Sequence, residues 1–183
     1  DLETHDPDLK THGSGAIVGK GKVCGIALAY ADKKFYFPIA HKGSASNLAP
    51  SLVWRSLNRK IFQNNKVTKV FHNAIYDVCW LRAMGFKING DIACTMIAAA
   101  LTDENRFRYD LNSLSWHYLG YGKNEAALAE AAEEWGIDPK SEMYKLPAMH
   151  VGAYAERDAE VTLGLWQEMK KEIQHQDIQS IFE

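Results

Sequence analysis

The chain has 183 residues, of which 46% are hydrophobic, 24% charged and 11% aromatic. These figures exclude a disordered chain and leave room for one sizeable core. A formal net charge of −2 gives no basic footprint, so a nucleic-acid ligand would need bound cations or an attached partner to supply positive field.

Asp1-Leu2-Glu3 opens the chain. On extended backbone, side chains alternate faces, so these two carboxylates point the same way. Residues 4–22 are polar and Gly-rich and read as a loop or turn between strands. Gly19-Lys20-Gly21-Lys22 does not fit the phosphate-loop pattern. Val23 to Tyr30 is nearly all apolar and reads as a buried strand. Ala31-Asp32-Lys33 turns it into a hairpin partner, Lys34 to Ile39, where Pro38 implies an edge or a strand end. Pro50 and Ser51 open a helix with Val53, Leu57 and Ile61 along one buried stripe. Val67 to Phe71 reads as a strand. Asn73 caps the next helix, which stops at Gly85. Lys87-Ile88-Asn89 offers one more short strand. Helices are expected over 92–101, over 111–119 ending at Gly120, and over 124–135 ending at Gly136. A long last helix runs from about Pro147 to Gln174, with Tyr154, Asp158, Val161, Leu165 and Met169 on one face. Strands first and helices after imply α+β or mixed α/β, in one domain without repeats or linkers.

Cys24, Cys79 and Cys94 each lie in apolar stretches, are odd in number and lack CxxC spacing, so they read as buried hydrophobes in a reducing compartment. No apolar run approaches the roughly 18 residues of a membrane span. An acidic start is unlike a signal peptide, and the expected location is cytoplasmic. The seven histidines lack HxxxH or HExxH spacing, so no zinc site is expected. His72 is expected to pack at its strand end. Trp54, Trp80, Trp116, Trp135 and Trp166 read as core, and Glu125, Glu130, Glu133 and Glu134 as a solvated helix face.

Chemistry is expected where three segments meet: Asp1-Leu2-Glu3, then Asn73 to Asp77 after a strand, then Tyr154 to Asp158 in the last helix. Phosphodiesters resist hydrolysis because attack and departure both concentrate negative charge. Two Mg²⁺ ions about 4 Å apart offset this, one acidifying the attacking water and one stabilising the leaving oxygen. Mg²⁺ takes hard oxygen ligands, which Asp1, Glu3, Asp77 and Asp158 would supply. Tyr154, one turn before Asp158, could orient the water. Each piece alone has a bland alternative: a solvated acidic end, a helix cap, a core tyrosine, an exposed helix carboxylate. Their order carries the signal.

DxE, then strand–NxxxD, then YxxxD resemble the signatures of the DEDD exonuclease superfamily in its tyrosine-bearing branch. The chain resembles the 3′–5′ proofreading exonuclease domain of family A, DNA polymerase I-like enzymes, phage-type versions most closely. Supporting stretches are Phe71 to Asp77, Thr95 to Leu101, Asp110 to Leu114 and Tyr118-Leu119-Gly120. The tail Gln179 to Glu183 looks like the run into such a polymerase's synthetic domain.

The resemblance implies an RNase H-like fold, a central mixed sheet flanked by helices. It implies two divalent ions (Mg²⁺ or Mn²⁺), a single-stranded DNA 3′ end as substrate and a fused C-terminal polymerase domain, in a monomer. If phage-encoded, the protein would work in the host cytoplasm. Asp1, Glu3, Asp77 and Asp158 match the metal ligands, Tyr154 the water-orienting tyrosine, Asn73 and Tyr76 the DNA groove, and Arg108 an arginine near the terminal phosphates. Cys94 stands where relatives carry an aspartate that is not a ligand. The resemblance also implies a first strand leading into Asp1, and the chain is expected to be a piece of a longer polypeptide. Two rivals remain: a stand-alone exoribonuclease of the same branch, and a non-catalytic domain bracing a polymerase.

Overall fold

The structure is a computed structural model that describes residues 1–42 and 46–182. Glu183, last residue of the tail expected to run into a polymerase domain, lies outside them. Five strands, nine α-helices, a π-turn and a 3-10 turn are formed by the described residues.

Strand β1 (Leu2–His5) pairs antiparallel with β2 (Lys22–Tyr30), which pairs antiparallel with β3 (Lys33–Pro38). The β2–β3 hairpin and its edge position are as expected. Between β1 and β2 lie two one-turn helices, α1 (Leu9–His12) and α2 (Gly15–Val18), where only loop was anticipated. Their cause is a side chain that composition does not reveal. Both Asp6 carboxylate oxygens accept the Gly15 N–H at 3.0 Å, and Ser14 accepts the Ala16 N–H at 3.3 Å.

Helix α3 (Pro50–Leu57) begins on its proline and runs into a π-turn, Asn58–Phe62. There the Gln63 N–H reaches back five residues to the Asn58 carbonyl at 2.8 Å. The wider turn shifts the apolar stripe by one position. Val53, Leu57 and Phe62 are buried, whereas Ile61 is only partly so.

Strand β4 (Lys69–Phe71) leads through α4 (Ala74–Ala83) to β5 (Ile92–Cys94), which pairs with β4 in parallel. The expected strand over Lys87-Ile88-Asn89 does not form. The Asn89 N–H is committed to the Phe62 carbonyl at 2.8 Å, and the Asn89 carbonyl accepts from the buried Lys69 ammonium. Gly90, at φ 73°, then turns the chain, and the ladder starts at Ile92. The helix expected from residue 92 therefore begins later, as α5 (Thr95–Thr102). Helices α6 (Leu111–Leu119), α7 (Ala126–Glu134), α8 (Ala148–His175) and the short α9 (Gln179–Phe182) follow.

The expectation of one central mixed sheet needs correction. Among the described residues there are two separate sheets, a three-stranded antiparallel one and a two-stranded parallel one. Between them runs an apolar cleft of about 450 Å³, with Leu28 and Phe35 on one wall and Val70 and Phe71 on the other. Among the described residues no strand lies between β2 and β4 to join the ladders. The mixed α/β class stands.

One core lies between the sheets and α3 and α4, around Ile26, Leu57, Phe62 and Leu81. A second lies where α8 crosses α5 and α6, around Leu114, Val161, Leu165 and Met169. Trp80 is buried, but Trp116 and Trp135 are 59% and 48% exposed, against the expectation of core. Trp116 lies on the face of α6 opposite Leu111 and Leu114, and Trp135 falls just past the end of α7. All three cysteines are free, Cys24 and Cys94 buried and Cys79 partly so. Among the described residues no helix is long and apolar enough to cross a membrane.

Candidate active site

Strand β1 delivers the first two carboxylates. Its ladder extends back to Asp1, whose carbonyl accepts the Ala27 N–H at 2.9 Å and whose ammonium donates to the Ala27 carbonyl at 3.1 Å. Asp1 and Glu3 thus sit two residues apart on extended backbone and face one way. Glu3 pairs with Gly25, and the register slips just after it. Gly25 is required here. A Cβ at that position would lie 2.1 Å from the Tyr36 hydroxyl, which is itself 2.6 Å from His41 Nε2.

Helix α4 delivers Asp77, which is buried. One of its oxygens accepts the Leu2 N–H at 2.8 Å, fastening α4 to β1 beside Glu3. Helix α8 delivers Tyr154 and Asp158, one turn apart. Asp158 is 4% exposed. Its Oδ2 lies 2.6 Å from the Lys123 ammonium, and its Oδ1 is buried with no hydrogen-bond partner.

The charges interact strongly. Burial, and next the Asp158 carboxylate, push the Glu3 carboxyl up to about 7, although the Lys123 and N-terminal ammonium groups pull it down. Burial raises Asp77 against the pull of the N-terminal ammonium and the Leu2 N–H. Burial raises Asp158 against the pull of Lys123 and the Tyr154 hydroxyl. Burial, then Asp158 and Glu3, raise the Tyr154 phenol far above its ordinary value.

Lys123 is the residue that sequence reasoning missed. It lies between α6 and α7, far from Asp158 in the chain, and a lysine in a polar loop carries no spacing signal. Its ammonium also donates to the Tyr154 hydroxyl at 3.0 Å and sits 5.0 Å from the centre of that ring. The Lys123 N–H is held by Asn112 Oδ1 at 3.2 Å. The Gly122 carbonyl accepts from Arg157, the neighbour of Asp158, at 3.3 and 3.4 Å.

The remaining expected residues are more peripheral. Asn73 occupies the cap position of α4 at φ 59°, but its side chain makes no capping bond, contrary to expectation. The exposed carboxamide is therefore free of the backbone it was expected to cap. The Tyr76 hydroxyl bonds Thr4 Oγ1 at 2.7 Å and Asp6 Oδ2 at 3.0 Å, bracing β1 against α4. Arg108 is 77% exposed, 3.3 Å from Asp110. His72 packs at the end of β4, its Nδ1 2.8 Å from Thr95 Oγ1.

Among the described residues no three His, Cys, Asp or Glu side chains are grouped so as to hold a metal ion. The donor set nonetheless fits divalent cations. It offers only hard oxygens, an unpartnered buried carboxylate oxygen, a glutamate whose ionisation is opposed by burial and next by neighbouring carboxylates, and an ammonium drawn in as counter-charge.

The sequence profile of a 3′–5′ exonuclease family, that of the family A DNA polymerases, matches residues 7–174. The chain belongs to this 3′–5′ exonuclease family. The match begins after Asp1 and Glu3. The chain is 33% identical over its whole length to a DNA-directed DNA polymerase of Pseudomonas phage M6, of which it spans 28%. It is 27% identical to DNA polymerase I of Pseudomonas aeruginosa over 82% of the chain and 17% of that enzyme. Exonuclease domains of its kind are thus related to phage and bacterial polymerases several times its length. Among solved structures, Brucella melitensis NrnC with bound Mg²⁺ superposes with a TM-score of 0.66 at 18% identity, over 98% of this chain and 74% of that one. The exonuclease domain of Aedes aegypti Nibbler superposes with a TM-score of 0.62 at 18% identity, over 98% of this chain and 78% of that one. The mixed α/β fold is therefore shared with these two proteins.

Proposed function

We propose that this exonuclease domain hydrolyses the terminal phosphodiester of a single-stranded DNA 3′ end, releases nucleoside 5′-monophosphates, and serves as the proofreading domain of a larger DNA polymerase. The observation that carries the reading is the buried, half-unpaired Asp158 carboxylate beside Glu3, Tyr154 and Lys123. A structural carboxylate would have both oxygens satisfied. One left with a bare oxygen in a cluster of like charges suits a site that takes up cations.

Asp1, Glu3, Asp77 and Asp158 would hold two divalent ions, which when bound acidify the attacking water and stabilise the leaving 3′-oxygen. The chain's own work is positioning. Tyr154 keeps its proton, because burial and two carboxylates hold its phenol far above its ordinary range, so it can donate to the attacking water and aim its lone pair. Glu3, opposite Gly25 on β1, accepts from that water. The Leu2 N–H fixes Asp77 against rotation, and Arg157 and Asn112 fix the loop beside Asp158. Arg108, exposed beside Asp110, meets the terminal phosphates. Asn73 lines the approach with its unpledged carboxamide, next to Tyr76. DNA is preferred over RNA because the relatives of highest identity reported above are DNA polymerases.

The test is Mn²⁺-dependent release of mononucleotides from matched DNA and RNA oligonucleotides. Asp158→Ala should abolish release while circular dichroism stays native. An undiminished rate in that variant overturns the mechanism, and faster loss of RNA than DNA turns the reading to an exoribonuclease.

A further inference from the structure

The loop that joins α6 to α7 reaches into the site with one side chain. Lys123 is only 16% exposed, and its ammonium lies 2.6 Å from Asp158 Oδ2. It contacts the Tyr154 hydroxyl as well and lowers the Glu3 carboxyl from nearby. It therefore offers a single positive charge to the same carboxylates that a doubly charged ion would use. The two cannot both neutralise Asp158 at full strength.

The same ammonium has a second seat within reach. Glu125 Oε1 lies 3.8 Å away on a side chain that is 56% exposed. A lysine stem has four rotatable carbons, so the ammonium can move from Asp158 to Glu125 without moving the loop. The loop backbone stays anchored: Arg157 holds the Gly122 carbonyl and stacks 4.5 Å over Tyr121, and Asn112 holds the Lys123 N–H.

Resting on the two-cation reading above, we infer that Lys123 is a built-in competitor for the divalent cation: its ammonium holds Asp158 until the ion displaces it toward Glu125. An ion must then bind a state in which the lysine has left, and its apparent affinity falls by the fraction of molecules in that state. The lysine keeps like charges from repelling in the absence of an ion and sets the ion concentration at which the site loads. It is a positioning residue that acts through Asp158.

Calorimetric titration of the whole chain with Mn²⁺ tests this with two variants of opposite sign. Lys123→Met keeps an apolar stem of similar length and removes the charge. It should tighten Mn²⁺ binding by about tenfold if nine molecules in ten carry the lysine on Asp158. Glu125→Gln removes the alternative seat and should weaken Mn²⁺ binding. Equal affinities in wild type and Lys123→Met overturn the inference while leaving the exonuclease reading intact. Absence of Mn²⁺ binding in every protein, wild type included, sinks the two-cation reading itself. If Lys123→Met fails to fold, ¹³C-lysine NMR of the wild type decides. The Lys123 Cε resonance should move toward that of solvated lysines as Mg²⁺ is added, and one that stays fixed while Mg²⁺ binds overturns the inference.

Discussion

Along α8, the turns from Val161 to Ile173 bury Val161, Leu165, Met169 and Ile173 to 1% exposure or less. One helical period earlier, the turn from Tyr154 to Asp158 sets a half-buried phenol beside a buried carboxylate that keeps one oxygen unpaired. Both stretches follow the same spacing and face inward. The first meets Ala98 and Leu114 of α5 and α6, and its burial stabilises the fold. The second meets Glu3 and Lys123, and its burial opposes ionisation. One helix thus anchors itself with its apolar half and holds its chemistry in place with that anchorage.

The comparison breaks most visibly at Leu165. Leu165→Ala should cost about 2–5 kcal/mol, as for other fully buried leucines, yet leave Mn²⁺ affinity near that of the wild type in folded protein. Urea unfolding beside calorimetry separates the two. A collapse of Mn²⁺ affinity at low urea would show that the two halves are not independent.

A pH experiment probes the polar side. Burial pushes the His72 imidazole down to about 4, from an ordinary value near 6.5. The unfolded chain therefore binds the extra proton between those values, so the contribution is full above about pH 6.5 and is lost as pH falls toward 4. The shift corresponds to on the order of 3 kcal/mol. His72→Gln should flatten the acid side of the stability curve by that order, and a variant with the wild-type slope would contradict it.

The sequence was most informative where one physical rule dominated. Proline starting α3, Gly85 and Gly120 beyond α4 and α6, and the apolar spacing of α8 each settled an element without help from the rest of the chain. It was least informative where distant groups decided. The strand at Ile92–Cys94 depends on Lys69 holding Asn89, and α2 depends on Asp6. The π-turn moved burial from Ile61 to Phe62, which no period of 3.6 foretells. In the site, the carboxylates and Tyr154 were legible as types at fixed spacings. Lys123 was not, because its role exists only through the fold that lays the 120–125 loop beside α8.

Gly25 asks how tightly the site side is packed. An added methyl would meet the Tyr36 hydroxyl at 2.1 Å and its ring at 2.3 Å. Gly25→Ala must displace that ring from beside Glu3, at about 1–3 kcal/mol for overpacking. Here, unlike at Leu165, a stability loss should come with weaker Mn²⁺ binding, because Glu3 pairs with Gly25 across the ladder. Calorimetry showing unchanged affinity would mean that Tyr36 yields without disturbing Glu3.

The smallest effect is expected at Arg108, outside both halves. Its guanidinium is 77% exposed and 3.3 Å from Asp110, a surface pair worth about 0–1 kcal/mol. Asp110 does not depend on it for its cap: its carboxylate accepts the Ser113 N–H at 3.0 Å and the Ser113 hydroxyl at 2.7 Å. Arg108→Ala should therefore leave α6 and the melting temperature essentially unchanged. If the arginine meets the terminal phosphates, the same variant should raise KM for single-stranded DNA and flatten its salt dependence, because one phosphate contact fewer releases fewer counterions. An unchanged KM and salt slope would make Arg108 a solvated loop residue and leave substrate capture to Asn73 and Tyr76.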